Sequence, residues 1–415
     1  MSRGRHLIVS LALAAGNVLA QSSAASSKLT TLWRFSSTDG AQPDGTLIQD
    51  ASGALYGTTL HGGASGLGEV FQLTPPATGA TGWTLHVLHS FAGGSDGANT
   101  LAPVVFDKQG ALYGTTINGG ASGDGTVFRL TPPAAAGGAW TESIIHNFTG
   151  SPTGGSDGAS PFCGLVFDTG DSLYGTTFAG GASGGGIVFK LTPTDPTGSA
   201  WQETVLYNLP GTFGGGSFAG VVFDGAGAIY GTTSGGGAYN LGTVFRLAPP
   251  TTPTGAWRGS VLHSFGNGTD GNAPYDTPVF DHGSLYGTTF GGGLGYGTVF
   301  ELTPPSGAGG AWSETVLHMF AAGSDGAFPF ASLVFGPDGL LLSTAAFGGA
   351  KNGGIVFGLR PPPSPGGTWT EHLLQNLSSL AQPGATLTPT GKGVFYGLTY
   401  GGSPPDYGTV FQLTL

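Results

Sequence analysis

Charged residues make up only 8% of this 415-residue chain and its formal net charge is −11, which excludes a nucleic-acid surface built from basic stripes. Gly supplies 81 residues, as in low-complexity linkers, yet 39% of the chain is hydrophobic, enough to bury a core if those residues recur at fixed spacing. One cysteine, Cys163, cannot form an intrachain disulfide, and its place in an apolar run predicts a buried, inert thiol.

The first element predicted is a signal peptide over residues 1–20: Arg3, Arg5 and His6 precede an apolar stretch at 7–15, and the small Ala20 closes it. Its removal leaves 10 basic against 23 acidic residues. No other stretch reaches the roughly 18 apolar residues of a membrane span, so a secreted or extracellular protein is expected, periplasmic or surface-held at most. Residues 21–28 read as a short linker, and 29–415 as one domain.

After a strand-like run at 29–35, the chain settles into a repeat. Leu-Tyr-Gly-Thr-Thr begins at Leu55, Leu112, Leu173 and Leu285, as Ile-Tyr-Gly-Thr-Thr at Ile229, and in worn form at Leu341 and Phe395. Intervals of 57, 61, 56, 56, 56 and 54 residues mark an array whose units bury their apolar faces on one another. Each period holds four short β-type runs: one ending in Phe-Asp or a variant, then LYGTT, then TVFRL or a relative after a Gly-rich loop, then a run headed by Trp83, Trp140, Trp201, Trp257, Trp312 or Trp369. No stretch carries helical periodicity.

Seven four-stranded units without helices predict an all-β, seven-bladed β-propeller. Short apolar runs suit the crowded axis, so the Phe-Asp run is strand a, LYGTT b, TVFRL c and the Trp run d, outermost. In this phase the chain starts with an orphan d strand and ends with an a-b-c set lacking one. The two should complete a single blade and remove two exposed edges.

The blocks LYGTT, GGASGxG, TVFxL and GSDGA resemble the tandem GloVer repeats of bacterial exported "choice-of-anchor" proteins, over residues 29–415. That resemblance implies exported, propeller-like repeat proteins and supplies no catalytic residues. The chain ends at Leu415 directly after a c strand, without a sorting tail, so free release is expected over surface anchoring.

With strands running alternately up and down, the d–a and b–c loops emerge on one face. The d–a loops carry Asp39, Asp96, Asp157, Asp270 and Asp325, each followed by Gly; Phe213 and Ser379 stand at the remaining two positions. A ring of carboxylates suggests a hard cation, Ca²⁺ in particular, but Asp-Gly in a tight loop is also the usual way to cap backbone N–H groups, and turn chemistry is the favoured reading. No other cofactor is implied. His89, His146, His263 and His318 recur in strand d, too far apart around the rim to share one metal, and read as amphipathic strand-edge side chains.

Three G-x-S-x-G matches, at 93–97, 154–158 and 181–185, lead from no strand into a helix and are chance products of Gly and Ser content. Recurrent reactive side chains are missing, which leaves the catalytic set empty. The residues that vary most between b–c loops are His61, Leu67, Asn118, Asp124, Tyr239, Tyr296, Lys351 and Tyr407, aromatic and polar groups among glycines that suit ligand recognition. The expectation is therefore a monomeric secreted binding or scaffold module for an extracellular polysaccharide or protein. The alternative is a propeller hydrolase or lyase using top-face carboxylates on a polysaccharide, for which two acids converging in a deep axial pocket would be the signature.

Overall fold

A computed structural model describes residues 27–415 except 136, 151–156, 253–254, 267–268, 308–309, 365, 380 and 402–406. The expected signal peptide, and the middle G-x-S-x-G match in part, lie outside the described residues. Each repeat folds into one antiparallel sheet of order a-b-c-d, and seven sheets make the propeller. Blade 1 comprises Ile48–Gln49, Leu55–Thr59, Glu69–Thr74 and Thr84–Ser90; blade 2 Val105–Phe106, Leu112–Thr116, Thr126–Thr131 and Thr141–Asn147; blade 3 Val166–Phe167, Leu173–Thr176, Ile187–Pro193 and Trp201–Asn208. Blade 4 comprises Val222–Phe223, Ile229–Thr233, Thr243–Ala248 and Arg258–Ser264; blade 5 Val279–Asp281, Ser284–Thr289, Thr298–Thr303 and Ser313–Met319; blade 6 Val334–Phe335, Leu341–Ala345, Ile355–Arg360 and Thr370–Asn376.

Blade 7 takes Thr388–Pro389, Val394–Thr399 and Thr409–Thr414 from the end of the chain and Lys28–Arg34 from its beginning. Leu29 pairs with Leu413 and Arg34 with Thr409. The expected closure is thus present, and the N-terminal strand is tied to both neighbours as well. The Ser27 hydroxyl donates to the Leu374 carbonyl of blade 6 at 2.6 Å, and the Phe35 ring packs on Phe71 of blade 1 at 5.2 Å.

Two features depart from the sequence reading. Strand a pairs over only two residues in most blades, because the aspartate after it turns the chain at once: Asp50 accepts the N–H groups of Ser52 and Ala54 and the Tyr56 hydroxyl, and Asp107, Asp168 and Asp224 repeat the pattern. Strand d carries a bulge in every blade. Val70 faces His89 and Phe71 faces Val87, so Leu88 is the extra residue, and the equivalent position holds Leu or Ile throughout.

The core lies between blades. The Gly of each LYGTT leaves room for the Phe of strand c in the same blade: a Cβ on Gly231 would sit 2.6 Å from Phe245 Cζ, and on Gly114 2.5 Å from Phe128 Cζ. The same Phe meets the ring that ends strand d of the preceding blade, as Phe91–Phe128 at 5.2 Å and Phe265–Phe300 at 5.1 Å. At the opposite end of the sheet the Trp stacks edge-on against the LYGTT tyrosine of the preceding blade, as Trp140–Tyr56 at 6.4 Å and Trp201–Tyr113 at 5.7 Å. The first Thr donates across the same boundary to a carbonyl of the following blade, Thr58 to Ala102 at 2.9 Å and Thr176 to Ala219 at 2.6 Å. Cys163 is buried, and its Sγ accepts the Thr176 N–H at 3.1 Å.

This packing can be tested at the closure and at the boundary contact. Deleting residues 28–35 should leave blade 7 with three strands and an exposed edge, giving aggregation or a large drop in melting temperature by size exclusion and calorimetry; a monomer that melts like the parent would refute the closure. Gly231→Ala should cost about 1–3 kcal/mol in denaturant unfolding, because Phe245 must move to admit the methyl group.

Candidate functional site: an axial cavity with two carboxylates

The d–a and b–c loops share one face and are locked together by main-chain pairing in every blade. Ala41 pairs with His61, Ala98 with Asn118, Gly158 with Gly180, Gly215 with Gly235, Gly271 with Gly292 and Ala327 with Phe347; in blade 7 the Gly401 N–H donates to Ala381 at 3.1 Å. This lattice explains the Gly-Gly of the GGASG blocks. Gly62 has φ +82° and a Cβ there would lie 2.5 Å from the Gly40 carbonyl carbon.

Inside this lattice each d–a loop drops toward the axis and presents one residue, three or four positions after its paired one. These are Asp44, Leu101, Phe162, Phe218, Tyr275, Phe330 and Gly384, one per blade. They ring an axial cavity of about 850 Å³ whose wall draws on all seven blades, and five of them also line a second cavity of about 430 Å³ that runs up to Leu60, Ile117, Phe347 and Tyr400 of the b–c loops. The next position is buried and small in six blades, as Gly45, Ala102, Cys163, Ala219, Ala331 and Ala385; in blade 5 it is Asp276.

Asp44 and Asp276 are therefore both one-off residues, and both line the larger cavity. Burial, reinforced by the Asp276 carboxylate, pushes the Asp44 pKa up to about 7. Asp276 is also raised by burial, against the donors that reach it: the N–H groups of Thr277 at 2.6 Å and of Ser332, and the Thr386 hydroxyl at 3.1 Å. Aromatic rings continue from the wall onto the face, in contacts of Phe162 with Phe218 at 5.0 Å, Phe218 with Tyr275 at 5.0 Å, Tyr275 with Phe330 at 5.6 Å and Phe290 with Phe328 at 4.8 Å.

The loop residues singled out in the sequence sit farther out. Asn118 donates to Asn99, which in turn contacts His61 Nδ1 at 3.3 Å, so these three bridge blades 1 and 2. Tyr239 and Tyr296 are 50% and 38% exposed on adjacent blades, and Tyr296 touches Phe328 at 5.8 Å. Lys351 is exposed, Asp124 and Tyr407 are half-buried, and Tyr407 packs against the Phe35 cluster. None of these seven, nor Leu67, lines either cavity. Asp44 and Asp276 escaped the sequence reading, although their signal was there: each breaks the repeat at a position just before strand a.

The five loop aspartates do not converge on one point. Each caps its own loop, as Asp39 on the Ser36 N–H at 2.7 Å, Asp96 on Ala92 at 2.5 Å, Asp157 on Thr149 at 2.9 Å, Asp270 on Gly266 at 3.1 Å and Asp325 on Ala321 at 2.6 Å. The histidines are not idle edge residues, because each reaches the aspartate that follows it: His89–Asp96 3.0 Å, His146–Asp157 3.4 Å, His263–Asp270 2.9 Å and His318–Asp325 3.1 Å. A glutamate from strand d of the next blade faces each pair, namely Glu142, Glu203, Glu314 and Glu371. His146, Asp157 and Glu203, and likewise His263, Asp270 and Glu314, bring three ligand atoms within 4.8 Å of one another. A set with a ring nitrogen suits a transition metal better than Ca²⁺. Asp39, Asp96 and Asp325 join no such set among the described residues.

The model of the Gloeobacter/Verrucomicrobia repeat family matches residues 14–169, 80–255, 136–331 and 251–415. The chain belongs to this repeat family. No curated protein matches it. Among solved structures it is similar to a protein assigned as a 6-phosphogluconolactonase from Bacteroides uniformis ATCC 8492, at 16% identity and TM-score 0.50 over 87% of this chain and 98% of that one. It is also similar to a protein assigned as an oxidoreductase (glucose dehydrogenase) from Thermus thermophilus, at 14% identity and TM-score 0.45 over 93% and 99% of the two chains. A protein of unknown function from Dyadobacter fermentans DSM 18053 gives 14% and 0.45 over 94% and 100%. At 16% identity the first likeness speaks to the fold alone. No helix among the described residues is long and apolar enough to cross a membrane.

The glutamates facing the His–Asp pairs give this repeat protein a pH signature. Burial, aided by the neighbouring aspartates, pushes Glu142, Glu203, Glu314 and Glu371 up to about 7, above their unfolded values. Their folded state holds protons that the unfolded chain releases, so the associated stability is full below about pH 4.5 and is lost as pH rises through 7. Melting temperature should fall between pH 5 and 8, and the fourfold Glu→Gln variant should flatten that slope; an unchanged slope would refute the assignment.

Proposed function

We propose that the protein is an exported binding module that takes its ligand into the axial cavity through the face built from the paired d–a and b–c loops. The observation that carries this reading is the cavity itself. The repeat imposes the same backbone on all seven wall positions, yet their residues range from Asp44 and Leu101 through three Phe and a Tyr to Gly384, so the wall carries a carboxyl on one side and aromatic rings on the other. Rings of Phe162, Phe218, Tyr275 and Phe330 beside the polar Asp44, Asp276, Thr277 and Thr386 suit a carbohydrate, whose C–H faces stack on aromatics while its hydroxyls bond to acceptors. Tyr239 and Tyr296 extend the aromatic surface to the outside, where a longer glycan chain would run. The basic, apolar N-terminal segment supports export.

The Asp44 and Asp276 pair favours a second reading, a hydrolase or lyase, since a carboxyl with a pKa near 7 is suited to act as a general acid. One experiment separates the two. Mature protein is screened by calorimetry against neutral and charged oligosaccharides, with reducing ends measured in the same wells. Binding without turnover, lost in Phe218→Ala while the circular dichroism spectrum holds, is the expected result. Turnover abolished by both Asp44→Asn and Asp276→Asn would establish the enzyme, and no binding to any glycan would refute the carbohydrate reading.

A further inference from the structure

The cavity carries an unbalanced charge. Asp44 and Asp276 are its only carboxyl side chains, and no Lys, Arg or His lines either cavity among the described residues. Several other recessed aspartates of this fold have a cationic or ring N–H partner. Asp107 lies 3.9 Å from Arg129, Asp168 lies 3.6 Å from Lys190, and the loop aspartates meet histidines or a Trp N–H. Asp276 is served only by neutral donors, and the Asp44 carboxyl receives no hydrogen bond from the described residues. The raised pKa of Asp44 is the consequence of leaving it so.

A ligand cation would offset that penalty, and the rest of the wall is suited to one. Aromatic faces attract an ammonium group through the ring quadrupole, and the attraction grows when the site is withdrawn from water. Phe162, Phe218, Tyr275 and Phe330 occupy four consecutive blades of the wall, and Asp276 belongs to the same arc while Asp44 stands across from it on blade 1. We propose that the axial cavity selects a ligand bearing an aliphatic ammonium group, held between the Asp44 and Asp276 carboxylates and the aromatic arc. This rests on the cavity being the binding site, and within the carbohydrate reading it names an amino sugar with a free amine.

The test uses the full mature chain and three probes at constant ionic strength: a glucosamine oligosaccharide, its fully N-acetylated counterpart and the small amine benzylamine. The glucosamine oligomer should bind at least about tenfold more tightly than the acetylated one, a difference of about 1.4 kcal/mol. Asp44→Asn and Asp276→Asn should each lower that preference, whereas Asp171→Asn, on the exposed surface at the far end of the a–b hairpin, should leave it unchanged. Asp44→Asn is the safer variant, because no described residue donates a hydrogen bond to that carboxyl. Benzylamine binding with neither oligomer bound would uphold the ammonium preference and refute the carbohydrate reading. Equal binding of the two oligomers would overturn the ammonium preference and leave the carbohydrate reading standing. No binding by any probe would overturn both, and a preference untouched by Asp44→Asn and Asp276→Asn would place the cation elsewhere.

Discussion

Seven blades close into a ring only if each presents to its neighbour the same pair of surfaces, and the contact that sets this spacing is the Phe of strand c lying over the Gly of strand b. With a side chain at Gly114 or Gly231, the ring of Phe128 or Phe245 would be forced out of the sheet toward the preceding blade. The other boundary contacts depend on that spacing: the Trp on the preceding Tyr, the Thr on the following carbonyl and the Phe pair at the end of strand d. Blade 6 is the exception: Ser343 stands opposite Phe357, and its hydroxyl bonds to the Ala331 and Ser332 carbonyls within its own blade.

The same regularity decides what could be read from the amino acids. LYGTT, TVFRL and the Trp run announce themselves because the boundary contact demands them in nearly every blade, so blade count, phase and closure were legible. The bulge at Leu88 and its equivalents was not, because the one extra residue is itself apolar and VLHSF reads as an ordinary strand. Pairing of His263 with Asp270 was hidden for a related reason. The two recur as separate motifs on strand and loop, and only the turn between them brings them to 2.9 Å. Where Gly259 replaces the facing glutamate, Tyr207 and Phe213 fill the space, a coordinated change across one blade boundary.

Candidate site residues obey the opposite logic. A residue that serves the ring must repeat, so one that serves a ligand shows as a break in the repeat. The loop tips vary too, which drew attention to Tyr239 and Lys351, but variation at a solvent-exposed tip costs nothing. Variation at a walled-in position, where six blades place Gly, Ala or Cys and the seventh an aspartate, goes against the penalty of burying a carboxylate and therefore carries more information.

Closure by the two ends of the chain also orders events in time. A ribosome delivers Lys28–Arg34 first and Thr409–Thr414 last, so the outer strand of blade 7 must wait, unpaired, while six blades are made. Until then the nascent protein is an open arc with an apolar edge at each end, and its axial cavity has no complete wall. The wall of the axial cavity, which draws on all seven blades, is therefore complete only once blade 7 has closed.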